Sequence, residues 1–228
     1  MWKVLDDGIG EWVSEESSWR VDARGGEHGI RFQGNQSGGT LVSLVPVADH
    51  RISKLSESFV RGDAWHLSYP QQEGGFSLDL VLRPVEASKK RLVLESTISI
   101  ETTLLDSHPT VDLLATGDGF QAWSPPGESD WAKERFSGST TGASCLSGVV
   151  KENVAISVLL GRRDYPFTLD LSDDSEIRLR LFGEFLEKGV IRKARPWICL
   201  ENGVDDIQEE QGIQLWKRLQ NSPLPLAS

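Results

Sequence analysis

The chain has 228 residues, of which 38% are hydrophobic and 25% are charged, and this composition is typical of a folded globular protein rather than a disordered one. Its 34 acidic side chains outnumber its 24 basic ones, so the formal net charge is −10. An acidic surface repels phosphate backbones and anionic membranes. We therefore expect no nucleic-acid partner and no membrane partner.

The N-terminal stretch is acidic and lacks the continuous apolar region of a secretory signal. No run of apolar residues approaches the length of about 18 that spans a bilayer. These two observations predict a cytoplasmic protein.

The sequence contains only two cysteines, Cys145 and Cys199, which form neither a disulfide framework nor a zinc motif. They are predicted to be free thiols that are buried as small hydrophobic side chains, with a single bridge as the alternative. No phosphate-binding loop, dinucleotide fingerprint or paired-histidine motif is present. We therefore expect no cofactor and no metal.

Alternation of apolar and polar residues with a period of two dominates the first half of the chain. Residues 18–22 and 29–33 predict a hairpin, and residues 40–47 predict a further strand. Residues 56–70 predict two strands that meet at the turn 61–63. This succession of strands without an intervening helix is typical of an all-β protein.

Two longer strands are predicted next, at 76–84 and 91–105. In the second, the residues predicted to share the apolar face are Leu92, Leu94, Ser96, Ile98 and Ile100. The opposite face is mostly polar, which predicts that water covers it. A long strand with one wet face indicates a broad antiparallel sheet.

Residues 117–144 are rich in Gly, Ser and Pro and lack alternation, which predicts a long loop. Long loops in compact domains often carry function. Three more strands follow, at 154–161, 175–182 and 189–200. Because Pro196 cannot donate a ladder hydrogen bond, the last of these strands is predicted to have an edge or a bulge there.

One helix is predicted, near the C-terminus, with Asp205 or Asp206 as its cap and two glutamates in its first turn. Its predicted apolar stripe consists of Ile207, Leu215, Trp216 and Leu219. One helix after many strands predicts a single all-β domain over residues 1–228, with the helix covering a face or an edge of a sheet.

The segment Leu186–Arg195, followed by the predicted helix and by Ser222–Leu226, resembles the last strand and exit helix of galactose-mutarotase-like super-sandwich domains. Residues 59–71 and 97–114 support the resemblance, because they read as strand–turn–strand and as one very long strand. The resemblance implies a large antiparallel two-sheet super-sandwich with a C-terminal helix. It also implies a carbohydrate-associated protein, since the family includes aldose epimerases and domains of glycoside hydrolases and polysaccharide lyases.

The resemblance assigns no catalytic residue. Aldose epimerases use a histidine and a late glutamate as general acid and base. The candidates for these roles here are His28, His50, His66, His108, Glu184 and Glu187. None of them lies in a local pattern that matches the epimerase motif.

Four residues are predicted to bind a ligand. Aromatic faces stack on the C–H surfaces of sugars, and Trp123 and Trp131 lie in the predicted loop at 117–144. His66 lies on a predicted strand close to Arg61, so the two side chains could face a cleft. The other tryptophans on predicted strands or the helix are expected to belong to the core.

The sequence therefore predicts a carbohydrate-binding, mutarotase-like β-sandwich that takes a sugar or an oligosaccharide and need not be catalytic. One alternative is an aldose epimerase or glycoside-active enzyme with a His/carboxylate pair, which a cleft flanked by both groups would favour. Another alternative is a structural or interaction domain, which a cleft filled by its own side chains would favour. The sequence indicates no oligomeric state.

Overall fold

Two large antiparallel sheets and one small one make up most of the protein. The computed structural model describes residues 1–6, 8–14, 17–34, 39–48, 51–72, 75–124, 142–206 and 208–223. Within these ranges, no helix combines the length and the apolar character that crossing a bilayer requires.

Within the described residues, the first sheet has eight strands, which are numbered in chain order and given in spatial order. They are β1 (Trp2–Asp6), β2 (Ile9–Ser14), β3 (Ser17–Asp22), β5 (Ile30–Gly34), β6 (Thr40–Pro46), β12 (Thr110–Thr116), β17 (Glu176–Phe182) and β16 (Leu169–Asp170). The predicted hairpin at 18–22 and 29–33 is confirmed by the pairing of β3 with β5.

The described part of the chain contributes nine strands to the second sheet. In spatial order they are β13 (Asp118–Trp123), β14 (Leu146–Lys151), β15 (Val154–Leu159), β19 (Trp197–Asn202), β11 (Arg91–Glu101), β10 (Ser77–Ala87), β9 (Ala64–Tyr69) and β8 (Glu57–Arg61), with β18 (Arg192–Ala194) also paired to β11. A third sheet pairs only β4 (Gly25–Gly26) with β7 (Ile52–Lys54).

The two large sheets pack face to face around one hydrophobic core. Trp2 of the first sheet donates its indole N–H to the carbonyl of Leu82 in the second, and its ring centroid lies 5.2 Å from that of Trp65. Gly10 permits this contact, because a Cβ at that position would lie 2.6 Å from the Trp65 ring. The predicted all-β sandwich with a C-terminal helix is therefore confirmed.

The outer face of β11 corrects one prediction. The apolar face is buried as predicted, but the polar face is not wet: Glu95 is 3% exposed and Thr97 is 7% exposed. Glu95 is covered by Arg195 and by Trp197, which donates its indole N–H to the carboxylate. The helix α1 (Glu209–Asn221) lies on the same outer side, over β14, where Gly212 approaches Leu146 so closely that a Cβ would lie 2.5 Å from its Cδ2 atom.

The helix and the last strands differ in detail from the prediction. Gln208, and not an aspartate, occupies the N-cap position of α1; Ile207 lies outside the described residues. The predicted strand at 189–200 is split into β18 and β19, and the carbonyl of Pro196 accepts a hydrogen bond from the backbone of Ser96 between them. Pro196 therefore marks an interruption inside the sheet rather than at its edge.

Candidate functional site

A cleft of about 440 Å³ opens on the outer face of the second sheet, beside the C-terminal end of α1. We call it the cationic cleft; it is lined by Thr97, Gly161, Arg162, Arg163, Asp164, Lys193, Ala194, Arg195, Leu219, Gln220 and Ser222. Four of these side chains are cationic and one is a carboxyl. Four parts of the chain contribute to the lining: strand β11, the turn after β15, strand β18 with the residue that follows it, and the end of α1.

The turn after β15 is held by backbone hydrogen bonds from Asp164 and Tyr165 to the carbonyl of Gly161, and a 3₁₀ turn at Tyr165–Phe167 follows. Gly161 also leaves room for the carboxyl group, since a Cβ there would lie 3.2 Å from Oδ2 of Asp164. The local sequence thus brings a carboxyl and two arginines to one corner of the cleft.

Arg195, one of the lining residues, belongs to an ion-pair cluster centred on the buried carboxylate of Glu95. The carboxylate of Glu95 lies 2.7 Å from the guanidinium of Arg83 and 3.5 Å from that of Arg195, and it accepts the indole N–H of Trp197 at 3.1 Å. Arg195 also donates to the carbonyl of Pro223 at 2.7 Å. A buried charge needs such partners, so Arg195 is primarily a structural link between the sheet and the residues after α1.

Asp164 is the titratable group that the cleft perturbs most. Burial raises its pKa to about 6, against the opposing effect of a backbone hydrogen bond from Arg195 and the charges of Arg195 and Arg163. A carboxyl group that titrates near neutral pH inside a cleft is a feature of functional sites.

Gln220 contributes a donor without a partner. Its side-chain carbonyl accepts a hydrogen bond from the backbone of Arg162 at 3.4 Å. Its Nε2 group is buried and has no hydrogen-bond partner among the residues that the structure describes. A buried donor of this kind is costly unless something in the cleft accepts its hydrogen bond.

A smaller cavity of about 240 Å³ adjoins the cleft and shares Arg163, Asp164, Lys193 and Ala194 with it. We call it the side cavity. Phe167, which is 58% exposed, lines it and offers an aromatic face. Phe182 lines it too, and its backbone φ of 67° lies in the left-handed region, which costs a non-glycine residue about 1–3 kcal/mol.

The predicted ligand-binding residues do not form one site. His66 lies on the same outer face as Thr97, two strands away, because both are in register with Val81. Trp123 lies on β13 at the opposite edge of this sheet, six strand spacings or about 29 Å from β9. Trp131 lies outside the described residues.

The three described candidates have other contacts as well. His66 stacks on Phe59 with the ring centroids 4.8 Å apart. The pKa of this histidine is lowered mainly by burial and additionally by the charge of Arg61. Trp123 belongs to a strand and not to a loop, and its ring packs edge-on against Trp216 at 5.7 Å. Ligand binding by His66, Arg61 and Trp123 stays a prediction.

A larger cavity of about 820 Å³ lies elsewhere, near the short sheet formed by β4 and β7. It is lined by Val4, Gly8, Asp22, Arg24, Gly25, Gly26, Glu27, His28, Gly29, Arg31, Lys54, Leu55, Ser56, Glu57 and Ser58. Its acidic and basic side chains are mixed, and Asp22 and Arg24 form an ion pair at 2.6 Å. None of the buried unpartnered polar atoms in the described residues lines it. The cationic cleft is therefore the better candidate site.

Comparisons with known proteins identify no family. No family model matches the chain, and no curated protein matches it. Among solved structures, a human-microbiome protein named as a kojibiose phosphorylase is similar over 94% of this chain and 28% of its own, with a TM-score of 0.45 and 8% identity. A heparinase III is similar over 88% of this chain and 35% of its own, with a TM-score of 0.44 and 9% identity. The chain thus spans about a third of either protein, and likenesses this weak support no statement about its function.

Proposed function

We propose that the protein is a carbohydrate-binding β-sandwich of the mutarotase-like type and that its ligand occupies the cationic cleft. The observation that carries this proposal is the convergence of polar side chains from four separate chain segments on one open cleft. The volume of about 440 Å³ lies within the range of about 300–1,000 Å³ that is usual for small-molecule sites.

The side chains in the cleft match the chemistry of a sugar. Each sugar hydroxyl can donate one hydrogen bond and accept others. Asp164 supplies an acceptor, Lys193 and the Nε2 group of Gln220 supply donors, and Thr97 can do both. Phe167 in the side cavity offers an aromatic face for the C–H surface of a ring.

Binding is a better proposal than catalysis. Epimerases and glycosidases need two acid–base groups on opposite sides of the reacting bond. Of the three histidines in the described part of the chain, none lines the cleft, and Asp164 is the one carboxyl among its lining residues. The cleft is also open rather than filled by its own side chains, which disfavours a purely structural domain.

The experiment is a thermal-shift screen of sugars and short oligosaccharides on the wild type and on Gln220→Leu. Ligand at about 100 times its Kd stabilises the folded state by about 2.7 kcal/mol, which is readily detected. The variant loses the buried Nε2 donor, which has no partner among the described residues, and it also loses the carbonyl that accepts a hydrogen bond from the backbone of Arg162. These two effects oppose each other, so its unliganded stability should change by less than about 1 kcal/mol. Its ligand shift should disappear.

Gln33→Leu, on β5 of the other sheet, is the matched control and should keep the full shift. A full shift in Gln220→Leu would mean that the sugar binds elsewhere. No shift with any sugar at millimolar concentration would refute carbohydrate binding.

A further inference from the structure

We propose that the sugar bound in the cationic cleft carries an oxyanion, either a carboxylate or a phosphate, and that Arg163 and Lys193 hold this group. The inference rests on the proposed function and adds the charge class of the ligand. It starts from an imbalance: the chain carries a net charge of −10, yet four cationic side chains and one carboxyl line the cleft.

Two of the four cationic side chains are committed to other contacts. Arg195 is engaged by Glu95 and by the carbonyl of Pro223. Arg162 also has further interactions within the protein. Arg163 and Lys193, by contrast, form no ion pair and no side-chain hydrogen bond within the described part of the chain.

Other arginines near the cleft have carboxylate partners. In the side cavity Arg192 lies 2.5 Å from Glu184, and on β10, next to the strand that carries Thr97, Arg83 lies 2.7 Å from Glu95. Arg163, whose charge also acts on Asp164, comes from the turn after β15, whereas Lys193 comes from β18. Two cations without an ion pair in the described part of the chain therefore line the same space. Both line the cleft and the side cavity, which positions them at the boundary between the two.

Like charges that converge on a cleft focus a positive potential there, and a bound anion removes their mutual repulsion. A guanidinium and an ammonium provide several charge-assisted donors to one carboxylate or phosphate. The neutral part of the sugar would then lie toward Gln220 and Thr97. The buried Nε2 group of Gln220 is a second observation that points to an oxygen-rich ligand here.

Isothermal titration with matched sugar pairs tests this inference. The pairs are glucuronate with methyl glucoside and glucose 6-phosphate with glucose, and inorganic phosphate alone is titrated as well. At least one charged sugar should bind about tenfold more tightly than its neutral partner, since hydrogen bonds to charged groups are the stronger ones. Its affinity should fall as salt is added. The charged sugar that shows the preference identifies the group as carboxylate or phosphate.

Arg163→Gln and Lys193→Met should each weaken the charged sugar about tenfold and leave the neutral sugar within about twofold. Lys54→Met, in the larger cavity, is the matched control and should change neither affinity. All three side chains are exposed, so the variants should fold normally.

Equal affinities within both pairs would overturn the oxyanion and leave carbohydrate binding intact. Binding of inorganic phosphate as tightly as of the sugar phosphate would overturn the combined sugar–anion site. Failure of every sugar, charged or neutral, to bind would refute the proposed function itself.

Discussion

Replacing Asp164 with asparagine should make the protein more stable at neutral pH. Burial raises the pKa of this carboxyl from 3.8 to about 6. The unfolded chain therefore releases the proton at lower pH than the folded protein does. The contribution of the Asp164 carboxyl to the free energy of unfolding is fully present below about pH 4. It is lost as the pH rises through about 6, the pKa of the group in the folded protein. The shift of about two pKa units corresponds to a decrease on the order of 3 kcal/mol in the free energy of unfolding.

Asparagine has the same shape and no charge to desolvate, so the Asp164→Asn variant escapes this loss. Its amide presents one oxygen to the backbone N–H groups of Arg195 and Gly161, whereas the carboxyl presents two, and this difference costs about 1 kcal/mol at every pH. At about pH 7.5 the variant should exceed the wild type by about 2 kcal/mol. At about pH 4 it should be slightly less stable than the wild type.

Urea unfolding between about pH 4 and pH 7.5 measures this effect, and the difference between the two proteins isolates one carboxyl. Asp173→Asn is the control, because hydrogen bonds from Ser175 lower the pKa of that exposed carboxyl and its removal should produce the opposite slope. A difference between Asp164→Asn and the wild type that does not change with pH would refute the claim that burial perturbs Asp164.

Two further predictions concern the sandwich itself. Gly10→Ala should lower the free energy of unfolding in urea by about 1–3 kcal/mol, because the new Cβ would lie 2.6 Å from the fully buried ring of Trp65. Unchanged stability would mean that the two sheets can separate locally. Glu95→Gln should lower the free energy of unfolding by about 3 kcal/mol, because it leaves the buried guanidinium of Arg195 without its counter-charge. Glu176→Gln, at a position whose partner Arg178 is more exposed, should lower it by less than about 1 kcal/mol. Equal decreases at the two positions would contradict this reasoning.

Local sequence patterns predicted much of the sandwich. Each strand buries one face in the core, and the period-two alternation of apolar residues indicates which face that is. The two strands on either side of the turn at 61–63 and the buried face of β11 are confirmed. The buried free thiols of Cys145 and Cys199 are confirmed as well. These properties depend on neighbouring residues in the sequence and on burial, so a local pattern is enough to predict them.

The polar face of β11 could not be interpreted from the strand alone. Glu95 and Thr97 alternate as wet residues would, yet both are buried. Glu95 is covered by Arg195 and Trp197, which follow about a hundred residues later in the chain. A polar residue on a strand is compatible with water or with a buried ion pair, and only the tertiary contact decides between them.

The cationic cleft could not be predicted from the sequence for the same reason. Its lining comes from positions as far apart as Thr97, Asp164, Lys193 and Gln220, and none of these lies in a motif. The one local signal was the pair of arginines before Asp164, in a turn directly after a strand, which is where binding residues often lie.

The buried polar face of β11 and the cleft are physically one arrangement. Glu95 holds Arg195 in place, and Arg195 in turn fastens the residues after α1 and donates a backbone hydrogen bond to Asp164. The ion pair thus helps to position the perturbed carboxyl of Asp164, and Arg163 and Lys193, which form no ion pair within the described residues, line the same cleft. A protein that needed only a stable sandwich would gain from an apolar cluster at this place. The retention of buried charge beneath an open cationic cleft is most simply understood if the cleft binds a ligand.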